Sequence, residues 1–219
     1  MSVLVMVRHG QSLWNLENRF TGSVDVPLTE KGVLEAKQAG ALLDKYTFDV
    51  AYCSFLTRAV VTLETMVRTM GMPVPVIPVI RLKDFNERSY GELEGLKKDA
   101  VREKYGPEIY RLWHRGYEIA PPGGESLKQA AARVWGAYCR TVAGDLAAGK
   151  NVLLVAHGNV LRVLMMHLDE IDAAAIGTLE IPTAEPIVYH FDAWRQVMDK
   201  KILSWEKMGI MGTDPVLLH

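Results

Sequence analysis

Residues 5–15 read VMVRHGQSLWN, and residues 152–159 read VLLVAHGN. Each carries a short apolar, valine-rich run, the first stopping at Arg8-His9-Gly10 and the second at His157-Gly158. Runs of this kind mark strands buried on both faces of a parallel sheet. One histidine at a strand end is ordinarily a hydrogen-bonded structural residue. Two at matching positions call for a shared explanation. Parallel sheets bind ligands beyond the carboxyl ends of their strands, where both His-Gly pairs sit. Both pairs precede a candidate helix start, where unpaired backbone N–H groups favour anions. The glycines are expected to let a ligand approach the backbone closely. The two stretches therefore read as halves of one anion site.

Working outward, strands are expected at 3–7, 49–53, 76–80, 151–156 and 186–191. The 76–80 strand lies in a proline-punctuated stretch, which puts it at a sheet edge. Thr29 opens a helix whose apolar stripe is Ala36, Ala39, Gly40 and Leu43. Ser54 is expected to cap a second helix running to Met70. Shorter helices are expected at 96–105 and 108–114. After a turn at Pro121-Pro122-Gly123-Gly124, one long helix should span 125–148. Its stripe is Leu127, Ala130, Ala131, Val134, Tyr138, Thr141 and Val142. A last helix follows Gly158. Strands alternating with helices predict an α/β fold with a mostly parallel sheet. No repeat or linker interrupts the chain, so residues 1–219 read as one domain. Residues 206–219 read as a tail that either covers the site or frays.

The 219 residues are 49% hydrophobic and 23% charged, enough for one domain with a substantial core. The net charge of −1 provides no global field for nucleic acid or an anionic membrane. Any anion site must be a local cluster. No apolar stretch reaches the roughly 18 residues of a membrane span. The first residues lack the basic region of a signal peptide, so a cytoplasmic location is expected. Cys53 and Cys139 form no metal-type pair. They read as buried small apolar residues in a reducing compartment.

Arg8, His9, Arg58 and His157 together match what a phosphoryl group needs. Arginine offers a planar, permanently charged fork that fits phosphate oxygens. Phosphoryl transfer asks for an in-line nucleophile and charge stabilisation. A neutral histidine is a competent nucleophile, and neighbouring arginines disfavour its cationic form. Glu87, in FNERSYGELEG, is the candidate acid for the leaving oxygen. A metal site would need a third ligand at a legible spacing, and none is apparent. Walker and dinucleotide-binding fingerprints are also missing.

VRHGQSLWN, the arginine of CSFLTRA, FNERSYGELEGL and VAHGN resemble the histidine phosphatase superfamily. NRFTGSVDVPLTEKG, NERSYGELEGLKK, APPGGESL, HGNVLR and IPTAEPIVYHFD narrow the resemblance to the cofactor-dependent phosphoglycerate mutases. It runs from about Val3 to Trp205. It implies a three-layer fold, with a mostly parallel central sheet and helices on both faces. It implies His9 as a nucleophile that becomes phosphohistidine, with Arg8, Arg58 and His157 around the phosphoryl group. Glu87 would be proton donor and acceptor. Gln11, Ser12, Asn15, Thr21, Gly22, Arg88, Tyr90, Lys98, His114, Arg115, Gly158 and Asn159 would hold substrate. The implied reaction interconverts 3- and 2-phosphoglycerate through 2,3-bisphosphoglycerate, which also primes the enzyme, without a metal. The implied partner is this small molecule, with no nucleic acid or membrane; a homo-oligomer is left open.

Two departures from the family pattern matter. His114 stands where the family usually has the first of two arginines, so its charge should depend on pH near its ordinary value of about 6.5. Only Gly123-Gly124 separates the proline turn from Glu125-Ser126, where longer members insert an extended loop. Two other readings stay open at this stage. One is a phosphohistidine-forming phosphatase on the same scaffold; the other is a catalytically inactive phosphate-binding module.

Overall fold

In the computed structural model, which describes residues 1–71 and 77–204, strand β1 (Ser2–Arg8) runs through the middle of the molecule. Leu4, Val5, Met6 and Val7 are wholly buried. Their alternation divides the core in two. Leu4 and Met6 pack under α6 (Leu127–Arg140), α7 (Val142–Ala147) and α8 (Gly158–Leu168). Val5 and Val7 pack under α2 (Glu30–Leu42) and α3 (Thr57–Thr69) on the opposite face. Strand residues alternate between faces, so a continuous apolar run serves both layers.

The sheet has six strands in the order β3-β2-β4-β1-β5-β6. These are β2 (Val50–Cys53), β3 (Val79–Arg81), β4 (Val152–Ala156), β5 (Ile187–Phe191) and β6 (Val197–Ile202). The first four in that order are mutually parallel, and β5 runs antiparallel to both of its neighbours, β1 and β6. Arg8 lies opposite Ala156 in the β1–β4 register. The next residues on each strand, His9 and His157, therefore emerge side by side. The backbone N–H of His9 donates to the Ala156 carbonyl at 3.0 Å, which continues the ladder one step past β1. This register is why both strands end in the same residue pair.

A smaller apolar cluster of Phe20, Tyr90, Leu93 and Val101 stands beside the main core. It carries α4 (Lys98–Tyr105) and α5 (Pro107–Arg115), which wall the site. The one-turn α1 (Leu13–Leu16), capped by Ser12, follows β1.

Several details differ from the sequence reading. Strand 186–191 is not the last. It is followed by β6, whose six residues VMDKKI are all exposed; a strand that buries neither face carries no apolar alternation. The long helix breaks at Thr141 (φ −129°, ψ −77°), whose hydroxyl donates back to the Ala137 carbonyl at 2.7 Å. Such back-bonding bends helices. Its start is set by a capping box of Ser126 and Gln129, the arrangement that satisfies two free N–H groups. Ser54 is not the cap of α3, where Leu56 takes that position without a side-chain hydrogen bond. The edge strand is displaced to Val79–Arg81. Cys53 is buried, but Cys139 is exposed. The expectations for Val76 and for the tail at 206–219 fall outside the described residues.

Candidate active site

His9 is 3% exposed and sits at the floor of a cavity of about 220 Å³. Its Nδ1–H donates to the Gly10 carbonyl at 2.7 Å, and its Nε2 accepts from Arg58 Nε at 3.3 Å. These partners assign the proton to Nδ1 and leave the lone pair on Nε2. Burial pushes the ring's pKa well below the usual histidine range, and the charges of Arg58 and Arg8 push the same way. His9 is thus neutral at pH 7, with a nucleophilic nitrogen held against a guanidinium.

Arg58 and Arg88 are the largest of the fully buried side chains, and Arg58 is tied to the chain at two carbonyls. Its Nη1 donates to Val24 O and its Nη2 to Gly22 O, both at 2.8 Å. The first turn of α3 and the 22–24 loop therefore fix it from two sides. Arg8, the last residue of β1, donates from Nη1 to the Ile181 carbonyl at 2.7 Å. Its Nε is buried without a partner among the described residues. His157 does not line the cavity. It lies behind the wall, with its ring centroid 5.0 Å from that of His9. Its Nε2 pairs with the Ser54 hydroxyl at 2.8 Å, and its buried Nδ1 has no partner among the described residues.

The remaining walls come from α1, α4, α5, α8 and three loops. Six basic side chains line the cavity: Arg8, Arg19, Arg58, Lys98, Arg115 and Arg162. They face two carboxylates, Glu87 and Glu180. Glu87 accepts from the Arg88 backbone N–H at 2.8 Å and from the Asn159 backbone N–H at 3.4 Å. Asn159 Nδ2 donates to the Tyr90 hydroxyl at 3.4 Å. Asn15 gives its amide oxygen to Ser12, so it presents its NH2 group to the cavity. Thr21 contributes a buried hydroxyl without a partner among the described residues. Among the described residues, no group of three or more His, Cys, Asp or Glu is placed to hold a metal ion.

The family described as Histidine phosphatase superfamily (branch 1) matches residues 4–202. The chain is 48% identical over 203 residues to the 2,3-bisphosphoglycerate-dependent phosphoglycerate mutase of Methylobacterium radiotolerans, covering 92% of this chain and 95% of that one. It is 47% identical over 203 residues to the protein of the same name from Brucella ovis, covering 92% and 98%. The chain belongs to the phosphoglycerate mutase family of the histidine phosphatase superfamily. Among solved structures, Bacillus stearothermophilus YhfR is similar at 27% identity and a TM-score of 0.78, over 90% of this chain and 94% of that one. A mycobacterial glucosyl-3-phosphoglycerate phosphatase complexed with VO3 is similar at 26% identity and a TM-score of 0.77, over 93% and 98%.

Three residues that the family resemblance assigned to substrate stand outside the cavity wall. The Gln11 backbone N–H donates to Glu35, and its side-chain oxygen accepts from Thr29. Ser12 caps α1. Arg88 is 1% exposed; it donates to the carbonyls of Glu125, Trp113 and His114 and stacks 4.4 Å from the Tyr90 ring centroid. It positions Tyr90 and the end of α5 from beneath. Gly10 also differs from expectation. A Cβ there would lie 2.2 Å from the Gly32 carbonyl oxygen, so this glycine admits helix α2 rather than a ligand. At Gly158 the space is on the cavity side, where a Cβ would lie 3.6–3.8 Å from Arg162 Nη1, Arg8 Nε and Glu87 Oε2.

The sequence reading missed Arg19, Arg162, Glu180 and the role of Ser54. Arg162 had a usable signal. It lies three residues after Asn159 on α8, which puts both on one helix face, and its Nη1 donates to Asn159 Oδ1 at 3.1 Å. Ser54 and Glu180 carried none, because tertiary packing alone brings them to the site.

His114 lines the cavity among Phe20, Tyr110 and Tyr90. Burial lowers its pKa to about 2, with Arg115, Lys98, Arg162 and Arg88 acting in the same direction. The expected change of charge near pH 6.5 is therefore corrected: the ring is neutral across pH 6 to 8. His114→Gln is expected to leave the pH profile of kcat/KM over that range unchanged, since this parameter reports groups of the free enzyme. A profile that flattens in the variant would restore a titrating His114.

The buried histidines also set acid stability. His9 and His157 have folded pKa values below their unfolded ones, so the unfolded chain binds protons first. Their contribution is fully present above the unfolded value of about 6.5 and is lost as pH falls towards the folded values. Each contributes roughly 1.4 kcal/mol per pH unit within that window, and His114, whose folded value is also lowered, acts in the same direction, so the three together should cost roughly 4 kcal/mol per unit below about pH 6. Urea melts at pH 7, 6 and 5 in a buffer without phosphate check this. Equal midpoints at all three would rule it out.

Proposed function

We propose that this chain is a 2,3-bisphosphoglycerate-dependent phosphoglycerate mutase that interconverts 3-phosphoglycerate and 2-phosphoglycerate. The observation that carries the reading is His9 Nε2: the Gly10 contact leaves the ring's lone pair on this atom, where it accepts from Arg58 Nε, and the ring lines a cavity shared with six basic side chains. Curated relatives at 47–48% identity carry that name, which supports the mutase over a simple phosphatase.

In this mechanism, His9 Nε2 attacks phosphorus in line. The N–P bond forms as the bond to the leaving oxygen breaks, and Glu87 gives that oxygen its proton. Arg8 and Arg58 hold the charge on the transferring oxygens, with His157 behind them. In the return step, Glu87 takes the proton of the acceptor hydroxyl as that oxygen takes phosphorus from His9. Lys98 and Arg115 serve the substrate's carboxylate end, with Tyr90 as a hydroxyl donor. The priming cofactor fits the donors present. Arg8 Nε, Thr21 Oγ1 and Arg115 Nη1 are buried and unpartnered among the described residues, on the wall of a strongly cationic cavity. 2,3-Bisphosphoglycerate, when bound, supplies the phosphoryl group that primes His9. No metal is assigned a role. The reaction belongs to glycolysis and gluconeogenesis, and we infer a cytoplasmic location. No helix among the described residues is long and apolar enough to cross a membrane.

The test is phosphorus NMR of the protein with 3-phosphoglycerate, a trace of 2,3-bisphosphoglycerate and a chelator. Growth of 2-phosphoglycerate without free phosphate is expected. Growth of inorganic phosphate alone would replace the mutase with a phosphatase that uses the same histidine.

A further inference from the structure

Between Gly177 and Ile181 the chain is stitched to three arginines of the cavity wall. Leu179 O accepts from Arg162 Nε at 2.8 Å, and Ile181 O accepts from Arg8 Nη1 at 2.7 Å. Glu180 Oε1 accepts from Arg115 Nη2 at 2.6 Å, and its Oε2 lies 3.9 Å from Arg162 Nη2. Buried Ile176 and Ile181 anchor the backbone on either side. The segment also packs directly on α5, since a Cβ at Gly177 would lie 2.4 Å from Arg115 O.

The Glu180 side chain is unlike its surroundings. It is 73% exposed, while the Arg115 side chain that it binds is 25% exposed. Arg115 Nη1 is buried and has no partner among the described residues. The guanidinium fork is therefore half used, and the group using it is a carboxylate held by this ion pair rather than by packing. A fork of this geometry suits a carboxylate taken by both nitrogens.

We propose that Glu180 is a specificity-determining residue. Its carboxylate holds Arg115, and the carboxylate of an incoming phosphoglycerate displaces it towards solvent. The proposal rests on the phosphoglycerate reading of the site. Glu180 lies between Arg115 and Arg162 and offsets their mutual repulsion. A ligand with its own carboxylate replaces that contact with one that uses both nitrogens. A phosphate ester without a carboxylate has nothing to exchange for it, so it leaves Glu180 in place.

Calorimetric binding of 3-phosphoglycerate and of glycerol 3-phosphate to the wild type and to Glu180→Gln tests this, alongside kcat and KM. Glutamine keeps the shape and removes the charge. An exposed ion pair is weak, so Glu180→Gln is expected to bind 3-phosphoglycerate about two- to five-fold more tightly. KM should fall in parallel, with kcat and the affinity for glycerol 3-phosphate unchanged. Weaker binding of 3-phosphoglycerate would mean that Glu180 positions Arg115 for substrate, and would overturn the proposal. So would unchanged affinity, or equal tightening of both ligands, which would signify only a general field. A wild type that binds 3-phosphoglycerate without converting it would sink the mutase reading instead. The binding contrast between the two ligands still judges Glu180 in that case.

Discussion

His9→Ala is expected to lower phosphoryl transfer by at least about 10⁴-fold, the scale seen when a covalent nucleophile is removed. The fold should survive. The ring's hydrogen bond to the chain is local, to Gly10 O, and its other contact is the Arg58 Nε–H at Nε2. Because the ring is buried in its neutral form, truncation strands no counter-charge. Arg58 keeps its two carbonyl partners on the 22–24 loop. The cost to stability should therefore stay within the ordinary range for a point substitution, about 1–2 kcal/mol. Three measurements separate the outcomes: mutase turnover, acid-labile phosphate bound to protein after exposure to 2,3-bisphosphoglycerate, and a denaturant melt. Loss of turnover and of bound phosphate, with a near-normal melt, is the expected set. Bound phosphate persisting in the variant would move the nucleophile elsewhere, with His157 next to be tested.

This prediction rests on the part of the molecule most legible from sequence. Both His-Gly pairs end strands that are buried on two faces, and such strands announce themselves as continuous apolar runs. Their parallel register then forces the two histidines together. The helix stripes are readable for the same reason: Ala36 and Ala39 on α2, Leu43 at its C-cap, and Leu127, Val134 and Tyr138 on α6 all lie in the core. What escaped notice followed a different physics. β6 exists because β5 offers it an edge, not because its own residues alternate. Thr141 breaks a helix through a local hydroxyl contact that the apolar stripe runs straight across. Ser54 has the right residue type and position for a cap, yet its hydroxyl is used by a histidine over a hundred positions away. Arg88 shows the converse. The resemblance gave it a substrate role, while the structure uses its donors on backbone carbonyls beneath the cavity. Glu180 sits in a loop whose path is set by contacts with α5, α8 and β1, none of which its neighbours in sequence encode.

Glu87→Gln should separate proton transfer from the rest of the mechanism. The loop that carries Glu87 is clamped from below. Arg133 donates from Nη1 to Asp84 O at 2.6 Å and to Asn86 O at 3.0 Å, and from Nη2 to Glu87 O at 3.4 Å; it also pairs with Glu125 at 2.7 Å. Backbone position therefore does not depend on the Glu87 carboxylate. Its Oε1 accepts from the Arg88 N–H, which a glutamine oxygen also does. What the substitution removes is the transferable proton and one negative charge from a cavity with six basic side chains. Turnover of phosphoglycerate, whose leaving oxygen is a poor alkoxide, should fall by about 10²–10⁴-fold, the usual worth of a positioned general acid and base. KM should fall as well, because an anionic substrate meets one opposing charge fewer. A lower kcat with a lower KM is the signature of a group that serves the transition state and not ground-state binding. An aryl phosphate with an acidic phenol needs no proton on departure. Single-turnover phosphorylation of His9 from that donor should proceed in the variant at close to the wild-type rate. Equal losses with both donors would mean that Glu87 orients the phosphoryl group rather than moving the proton. The acid would then have to be sought among the other donors on the wall, with Tyr90 the first to test.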